Sequence, residues 1–209
     1  MELLTTLLES YGELYSEQVG IDPERESLKW LLASVLFGAP IRESTAVKTY
    51  EQFVKHCITT PDKIPKAGWH TLVDILDQGG YTRYDYKTAD KLLEMAENVR
   101  EKGIPYSEEE IKSLAKGIGN VTANIFLREL RGFQTIDPEP QKFVYEAAEN
   151  LGLLIEKNLQ ELKKVWAEHG VKSYTFLHFE AALLKLGKNF CRKGKHKECG
   201  LQKWCISVS

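Results

Sequence analysis

Apolar residues recur at steps of three and four positions along almost every long segment of this chain. The spacing is found over 28–36, 72–76, 89–96, 159–165 and 177–186. It places the apolar side chains on one face of an α-helix, whereas a half-buried strand would alternate apolar and polar residues. No segment alternates in that way, so the sequence predicts an all-α protein.

Length and composition are those of a globular protein. The 209 residues, 43% of them hydrophobic, leave room for one domain or two small lobes with a sizeable core. No apolar run approaches the roughly 20 residues that a membrane helix needs. The first residues also lack the basic region of a signal peptide. We therefore expect a cytoplasmic location.

The formal net charge of −2 does not by itself indicate a nucleic-acid binder, because phosphate contacts depend on local clusters of charge. Basic residues do cluster between Lys185 and Lys203, where Glu198 is the only acidic residue. Two interpretations stay open for this segment. It is either a solvated tail or a basic surface that orients the molecule on DNA.

The most informative local feature is a short turn between two predicted helices. Ser107 and Glu110 form a capping-box pattern that starts one helix, and the second runs from about Asn120 to Arg131. Between them, Gly117 and Gly119 flank one aliphatic residue, which we expect to plug the turn into the core. Such a turn aims backbone N–H groups at an anion such as a DNA phosphate. An ordinary helix connection is the alternative.

Several motifs occur in the same order as in one known family. The segment 117–124, Gly-Ile-Gly-Asn-Val-Thr-Ala-Asn, resembles the Gly-Val-Gly-x-x-Thr-Ala hairpin of the endonuclease III superfamily of helix-hairpin-helix DNA glycosylases. The segments 136–153 and 186–191 resemble the family's catalytic-aspartate region and its final helix, which runs into a cysteine-rich tail. Residues 79–89 resemble its Gly-Tyr-x-x-Lys-Ala loop, here lengthened. The chain is identified as a divergent, endonuclease III-like member.

The resemblance implies a bilobal all-α fold with DNA in the cleft between lobes. It divides the chain into a central helical lobe at 22–131, which ends in the hairpin, and a second lobe at 1–21 plus 132–209. A target base would be flipped out of double-stranded DNA, and a carboxylate would stabilise the developing charge on the sugar as the base leaves. The candidate DNA-binding residues are Lys116, Gly117, Ile118, Gly119, Asn120, Thr122, Arg42, Tyr81, Lys193 and Lys195.

Some of these candidates have structural alternatives. Tyr81, with Tyr84 and Tyr86, lies where the family places a wedge or stacking residue, but ordinary packing would also explain a tyrosine there. Pro40 occupies the place of a glutamine with which the family often probes the duplex, so that contact is lost or altered. Arg42 lies two residues further along the chain.

The residues that would carry catalysis depart from the family pattern. Val121 stands where bifunctional members have a lysine that attacks the sugar, so Schiff-base lyase chemistry through this position is excluded. Spacing places the family aspartate on Gln141, which cannot ionise, whereas Asp137 matches best locally and Glu139 is the alternative. Asp137 as a turn or cap residue stays open. Pro138 and Pro140 delay the next helix to about Gln141.

The cysteine-rich tail departs from the family as well. Family members often bind a [4Fe–4S] cluster through Cys-x6-Cys-x2-Cys-x5-Cys, whereas the order here is Cys191, His196, Cys199 and Cys205. Three thiolates and an imidazole suit zinc, or less often an iron–sulfur cluster. The alternative is three reduced cysteines in a tail held by Phe190 and Trp204. We expect no cofactor, with the metal site as the alternative.

Together these features predict a monomeric DNA repair protein, a monofunctional DNA N-glycosylase (a hydrolase) of base-excision repair without lysine-dependent lyase activity. The alternative is a catalytically inactive helix-hairpin-helix DNA-binding module, which Gln141 and the altered tail favour. A protein-interaction domain with no role on nucleic acid is the third. The sequence does not name the base that is recognised.

Overall fold

The computed structural model describes residues 2–208, apart from the side chains of residues 134 and 208. Over this range the chain folds into α-helices and short 3-10 helices without a strand, which confirms the all-α prediction. The helices are α1 Glu2–Tyr11, α2 Tyr15–Gln18, α3 Ser27–Phe37, α4 Glu43–Lys55, α5 Lys63–Gly79, α6 Asp85–Lys102, α7 Glu108–Ser113, α8 Asn120–Arg128, α9 Lys142–Asn150, α10 Leu159–His169 and α11 Phe176–Asn189. Within residues 2–208, no helix has the length and apolar character needed to cross a bilayer.

The helices form two compact units, one at Tyr15–Pro138 and one at residues 2–14 plus 139–208. The first unit is wider than the lobe expected at 22–131. Its near edge is fixed by Glu129, whose carboxylate accepts the backbone N–H groups of Tyr15 at 3.1 Å and Ser16 at 2.9 Å. These bonds attach α2 to the end of α8, so α2 belongs to the first unit.

A buried ion pair lies at this junction of the first unit. The Arg128 guanidinium donates to the Glu129 carboxylate at 2.9 Å, and both side chains are almost fully buried. Arg128 also lies over the Tyr15 ring, 5.3 Å from its centroid, and the Tyr15 hydroxyl donates to Glu43 at 3.0 Å. Burial raises the pKa of Tyr15. Helices α2, α4 and α8 are therefore held together by polar contacts inside an otherwise apolar core.

Helix α5 is kinked and closely packed. Gly68, with φ +78°, interrupts the helical backbone within α5. At the other end of α5, Gly79 is buried where the helix meets α4, and a Cβ built there would lie 2.4 Å from the Thr49 Cα. Since real Cβ atoms do not approach backbone so closely, only glycine allows this crossing as it stands.

The second unit combines α1 with the helices that follow residue 139. Helix α11 packs against α9 and α1, and the apolar residues of α1, Leu4, Leu7 and Leu8, are buried in this core. The tail after α11 forms short 3-10 turns with Leu201 fully buried. The Tyr11 hydroxyl donates to the Cys199 carbonyl at 2.7 Å and so attaches the tail to α1. An ion pair at 2.6 Å also joins Lys203 to Glu2.

Candidate nucleic-acid interface

The glycine turn between α7 and α8 has the structure of a tight hairpin. Ser107 caps α7, as predicted, by accepting the Glu110 N–H at 3.4 Å. The chain reverses at Gly117, which has φ +90°, and Ile118 is 6% exposed in the core, as expected of the plug residue. Helix α8 then begins at Asn120 and ends at Arg128, short of the expected Arg131.

The two glycines of the hairpin differ in what they permit. Gly117 needs a positive φ that side-chain-bearing residues rarely adopt. Gly119 has φ −119° and ψ −177°, an extended backbone open to any residue, and a Cβ built there would have no atom within 4 Å. The first glycine is therefore required by the turn, whereas the second leaves open space beside the first turn of α8.

Most of the hairpin candidates are exposed to solvent. Lys116, Gly117, Gly119 and Asn120 are exposed, and the Lys116 N–H donates to the Glu94 carboxylate at 2.9 Å. The N–H groups at the start of α8 have no partner within their own helix and point outward along its axis. Arg42, the residue before α4, is exposed as well.

Two candidates lie in the core of the first unit instead. Thr122 is 4% exposed and packs against the end of α3, where a Cβ on Gly38 would lie 2.0 Å from its Oγ1. Tyr81 is 1% exposed, and its hydroxyl donates to the Leu36 carbonyl at 2.5 Å. The expected surface role is therefore corrected for both residues, because in this structure each contributes to packing.

Val121 occupies an open position on α8. Its side chain is 40% exposed, although valine is an apolar residue. The sequence resemblance places the lysine of bifunctional glycosylases at this position, and a valine side chain carries no nucleophile. The position is thus accessible to solvent and its side chain is chemically inert.

The candidate catalytic aspartate is held by a neighbouring arginine. Asp137 is 43% exposed, and its carboxylate accepts a hydrogen bond from Arg131, whose own side chain is 8% exposed. Arg131 donates a second bond to the Pro138 carbonyl at 2.8 Å. Gly132, with φ +89°, and Thr135, with φ +64°, shape the loop between them. Arg131 fixes both the carboxylate and the extended chain that follows it.

The two other candidates lie in the second unit, just before α9. The Glu139 carboxylate accepts a hydrogen bond from the Tyr145 hydroxyl. Gln141 is the residue before α9 and has an extended backbone, as expected from the two prolines. The carboxylates of Asp137 and Glu139 each have a polar partner within their own unit, whereas Gln141 supplies an amide and no charge.

The four predicted metal ligands of the tail do not come together as a metal site within the described residues. Among residues 2–208, no three His, Cys, Asp or Glu side chains converge in an arrangement that holds a metal ion. The Cys199 thiol donates to the His196 carbonyl at 3.1 Å, and the Cys205 Sγ lies 3.6 Å from the His196 Nδ1. Burial raises the pKa of the Cys191 thiol. The zinc or iron–sulfur alternative is not confirmed.

The two basic tail candidates differ in their electrostatic surroundings. Lys193 and Lys195 are both exposed, and both follow α11 in the second unit. The Lys195 ammonium forms an ion pair with Glu198 at 2.8 Å. Its charge is partly offset, so Lys193 is the stronger anion-binding candidate of the two.

One cation beside the hairpin has no sequence motif to mark it. Lys91 lies on α6, and a Cβ built on Gly117 would lie 3.3 Å from its Cε and 3.7 Å from its Nζ. Its side chain is half-buried, and this burial lowers the pKa of the ammonium. No sequence pattern could have identified it, because its position becomes informative only once α6 and the turn are placed together.

Comparison with solved structures identifies the architecture. A trapped covalent intermediate of endonuclease III with DNA, an estranged-adenine complex, matches with a TM-score of 0.60. The match covers 99% of this chain and 92% of that chain at 17% sequence identity. This chain has the endonuclease III fold. No protein-family model matches the sequence, and no curated protein sequence matches it. The chain therefore has the endonuclease III fold with its helix-hairpin-helix. At this sequence identity the shared fold does not establish a shared reaction, so any catalytic activity has to be argued from individual residues.

Proposed function

We propose that this protein is a DNA repair enzyme that binds double-stranded DNA as a monomer and hydrolyses the N-glycosidic bond of a flipped, damaged or mismatched base. The observation that carries the proposal is the hairpin at Gly117–Gly119. Its open side at Gly119 gives a phosphate room to approach the first amides of α8. The endonuclease III fold supports the same reading.

In this proposal the hairpin supplies the anchor and the basic tail supplies further phosphate contacts. Two exposed residues, Lys116 and Asn120, flank the hairpin turn, and a third, Arg42, lies just before α4. Lys193 extends the basic surface on the second unit. Phosphate contacts position a protein on DNA without reading its sequence, so these residues would leave the choice of base to the pocket.

The chemical step would be a simple hydrolysis. The bond between the base nitrogen and C1′ breaks, the base leaves with the bonding electrons and takes up a proton, and water forms a new bond to C1′. Asp137 would stabilise the positive charge that develops on the sugar, or accept the proton of the water. Arg131 would hold its carboxylate in place meanwhile. Val121 offers no amine, so the sugar would not become attached to the protein.

A second function is favoured by the surroundings of the candidate acids. Asp137 is engaged by Arg131, and the position that spacing assigns to the family aspartate is Gln141. In this alternative, the protein would bind DNA through the hairpin and perform no chemistry. Both candidate functions use the same anchor, and they differ only in whether the acidic residues take part in a reaction.

The deciding experiment is single-turnover base release from duplexes that carry alkylated, oxidised, deaminated or mismatched bases. We expect release that leaves an intact abasic strand, which breaks only after hot alkali, because no lysine opens the sugar. Asp137→Asn should abolish release while DNA binding persists, and Glu139→Gln serves as the matched control. Loss in Glu139→Gln alone would move the catalyst there. Binding without release from any duplex would establish the non-enzymatic module.

A further inference from the structure

The Lys91 ammonium lies close to the first glycine of the hairpin. The Nζ lies 3.7 Å from the point where a side chain would begin on Gly117. Because Gly117 has no side chain, the end of the lysine reaches the backbone of the turn directly. The backbone N–H groups of Gly117 and Gly119 form no hydrogen bond within residues 2–208. The hairpin thus has unused backbone donors, and an ammonium donor lies beside its first glycine.

The charge of Lys91 is not neutralised inside the protein. Within the described residues its ammonium takes part in no ion pair and no hydrogen bond. Removal of water from half of the side chain is the cause of its lowered pKa. A lysine that is partly desolvated and unpaired costs free energy in the folded protein, and an anion bound from outside would offset that cost.

We propose that Lys91 is a phosphate-binding residue that completes the hairpin, its ammonium contacting the same backbone phosphodiester as the amides of Gly117 and Gly119. The ligand class is the phosphodiester of a nucleic acid, so this inference rests on the proposed function of the hairpin. The amide N–H groups are directional hydrogen-bond donors and would therefore orient the phosphate. The ammonium would add a positive charge that attracts it.

The surroundings of Lys91 include one carboxylate that bears on this assignment. Glu94 lies one helical turn further along α6 and accepts the Lys116 N–H at 2.9 Å. Its bond is to the residue before the turn, so the Gly117 and Gly119 amides stay available. Its negative charge nevertheless opposes an anion nearby, and we expect Glu94→Gln to bind DNA at least as tightly as the wild-type protein.

The test is the salt dependence of binding to a short unmodified duplex, measured by fluorescence anisotropy from about 50 to 200 mM salt. We expect Lys91→Gln to weaken binding about tenfold at the lower salt and to reduce the slope of log K against log salt by about 0.9, the loss of one phosphate contact. Lys91→Arg should retain most of the affinity. Lys66→Gln, an exposed lysine on α5, is the control and should leave the slope unchanged.

Stability separates this role from a structural one. Because burial disfavours the ammonium, Lys91→Gln should unfold at the same urea concentration as the wild-type protein or at a higher one. A lower midpoint, or an unchanged salt slope in Lys91→Gln, would overturn the assignment while the proposed function stands. A wild-type protein that does not bind the duplex would overturn the proposed function itself.

Discussion

Replacement of each hairpin glycine by alanine should separate the fold from the binding of DNA. At Gly117, with φ +90°, alanine adopts a backbone that costs about 1–3 kcal/mol. The reduced freedom of the unfolded chain returns about 0.4–1 kcal/mol. The new Cβ would also lie 3.3 Å from the Lys91 Cε, which is the mobile end of a flexible side chain and can move away. We therefore expect Gly117→Ala to lose about 1–2 kcal/mol of unfolding free energy.

Gly119→Ala should behave in the opposite way. Its extended backbone accepts alanine, and no atom lies within 4 Å of the new Cβ. Alanine is a poorer residue than glycine at the start of a helix, which costs several tenths of a kcal/mol, and the entropy term offsets it. Stability should stay within about 0.5 kcal/mol of the wild-type value. The methyl group, however, stands where a phosphate would approach the amides, so duplex binding should weaken about tenfold or more.

The assay pairs urea denaturation followed by circular dichroism with anisotropy on a short duplex. Gly119→Val extends the series, because β-branched residues suit an extended backbone while the larger side chain obstructs the approach further. If Gly119→Ala is less stable than Gly117→Ala, the turn geometry described above is refuted. If both variants fold and Gly119→Val binds DNA as the wild-type protein does, the open side of the hairpin is not the binding surface.

Three further predictions concern the packing of the first unit. Gly79→Ala should lower the free energy of unfolding by about 1–3 kcal/mol, although alanine normally stabilises a helix. Adding Thr49→Ala should not restore this stability, because the obstructing atom is the Thr49 Cα. Rescue by the second substitution would contradict the packing argument. Burial raises the pKa of Tyr50 from 10.0 to about 12, so its contribution to stability is complete below pH 10 and lost as the pH rises towards 12. The free energy of unfolding, measured by urea titration at each pH, should therefore fall less steeply with pH for Tyr50→Phe than for the wild-type protein. Equal slopes of this free energy against pH would contradict the prediction. Glu129→Gln removes the carboxylate that faces the buried Arg128 and should cost about 3–5 kcal/mol in the same urea assay, whereas a loss below about 1 kcal/mol would mean that the pair is dispensable.

The helices and the hairpin could be predicted from the sequence because their determinants are local. The apolar spacing fixes which face of each helix is buried, and Gly117 followed by Ile118 predicts a tight turn with its aliphatic residue inward. The delayed start of α9 followed from Pro138 and Pro140 in the same way. In each case the residues that decide the structure are close neighbours along the chain.

Features that depend on distant partners could not be predicted. Tyr81 belongs to a motif that suggested the surface, yet its hydroxyl reaches the Leu36 carbonyl in the core. The partner of Asp137 is Arg131, which is only six residues away in the loop after α8, yet no pattern in the sequence joins the two side chains. Lys91 reads as an ordinary helical lysine until Gly117 is placed beside it. Side-chain pairing across elements is set by tertiary packing, which residue spacing does not encode.

The way the second unit is assembled has a consequence for synthesis on the ribosome. Helix α1 packs with residues after 139, so all of Tyr15–Pro138 must be translated before its partners exist. At bacterial or eukaryotic elongation rates this delay is on the order of 10 s. During that interval the apolar face of Leu4, Leu7 and Leu8 has no native cover, which makes the nascent chain a candidate for chaperone capture. Slow codons within Tyr15–Pro138 would lengthen this exposure.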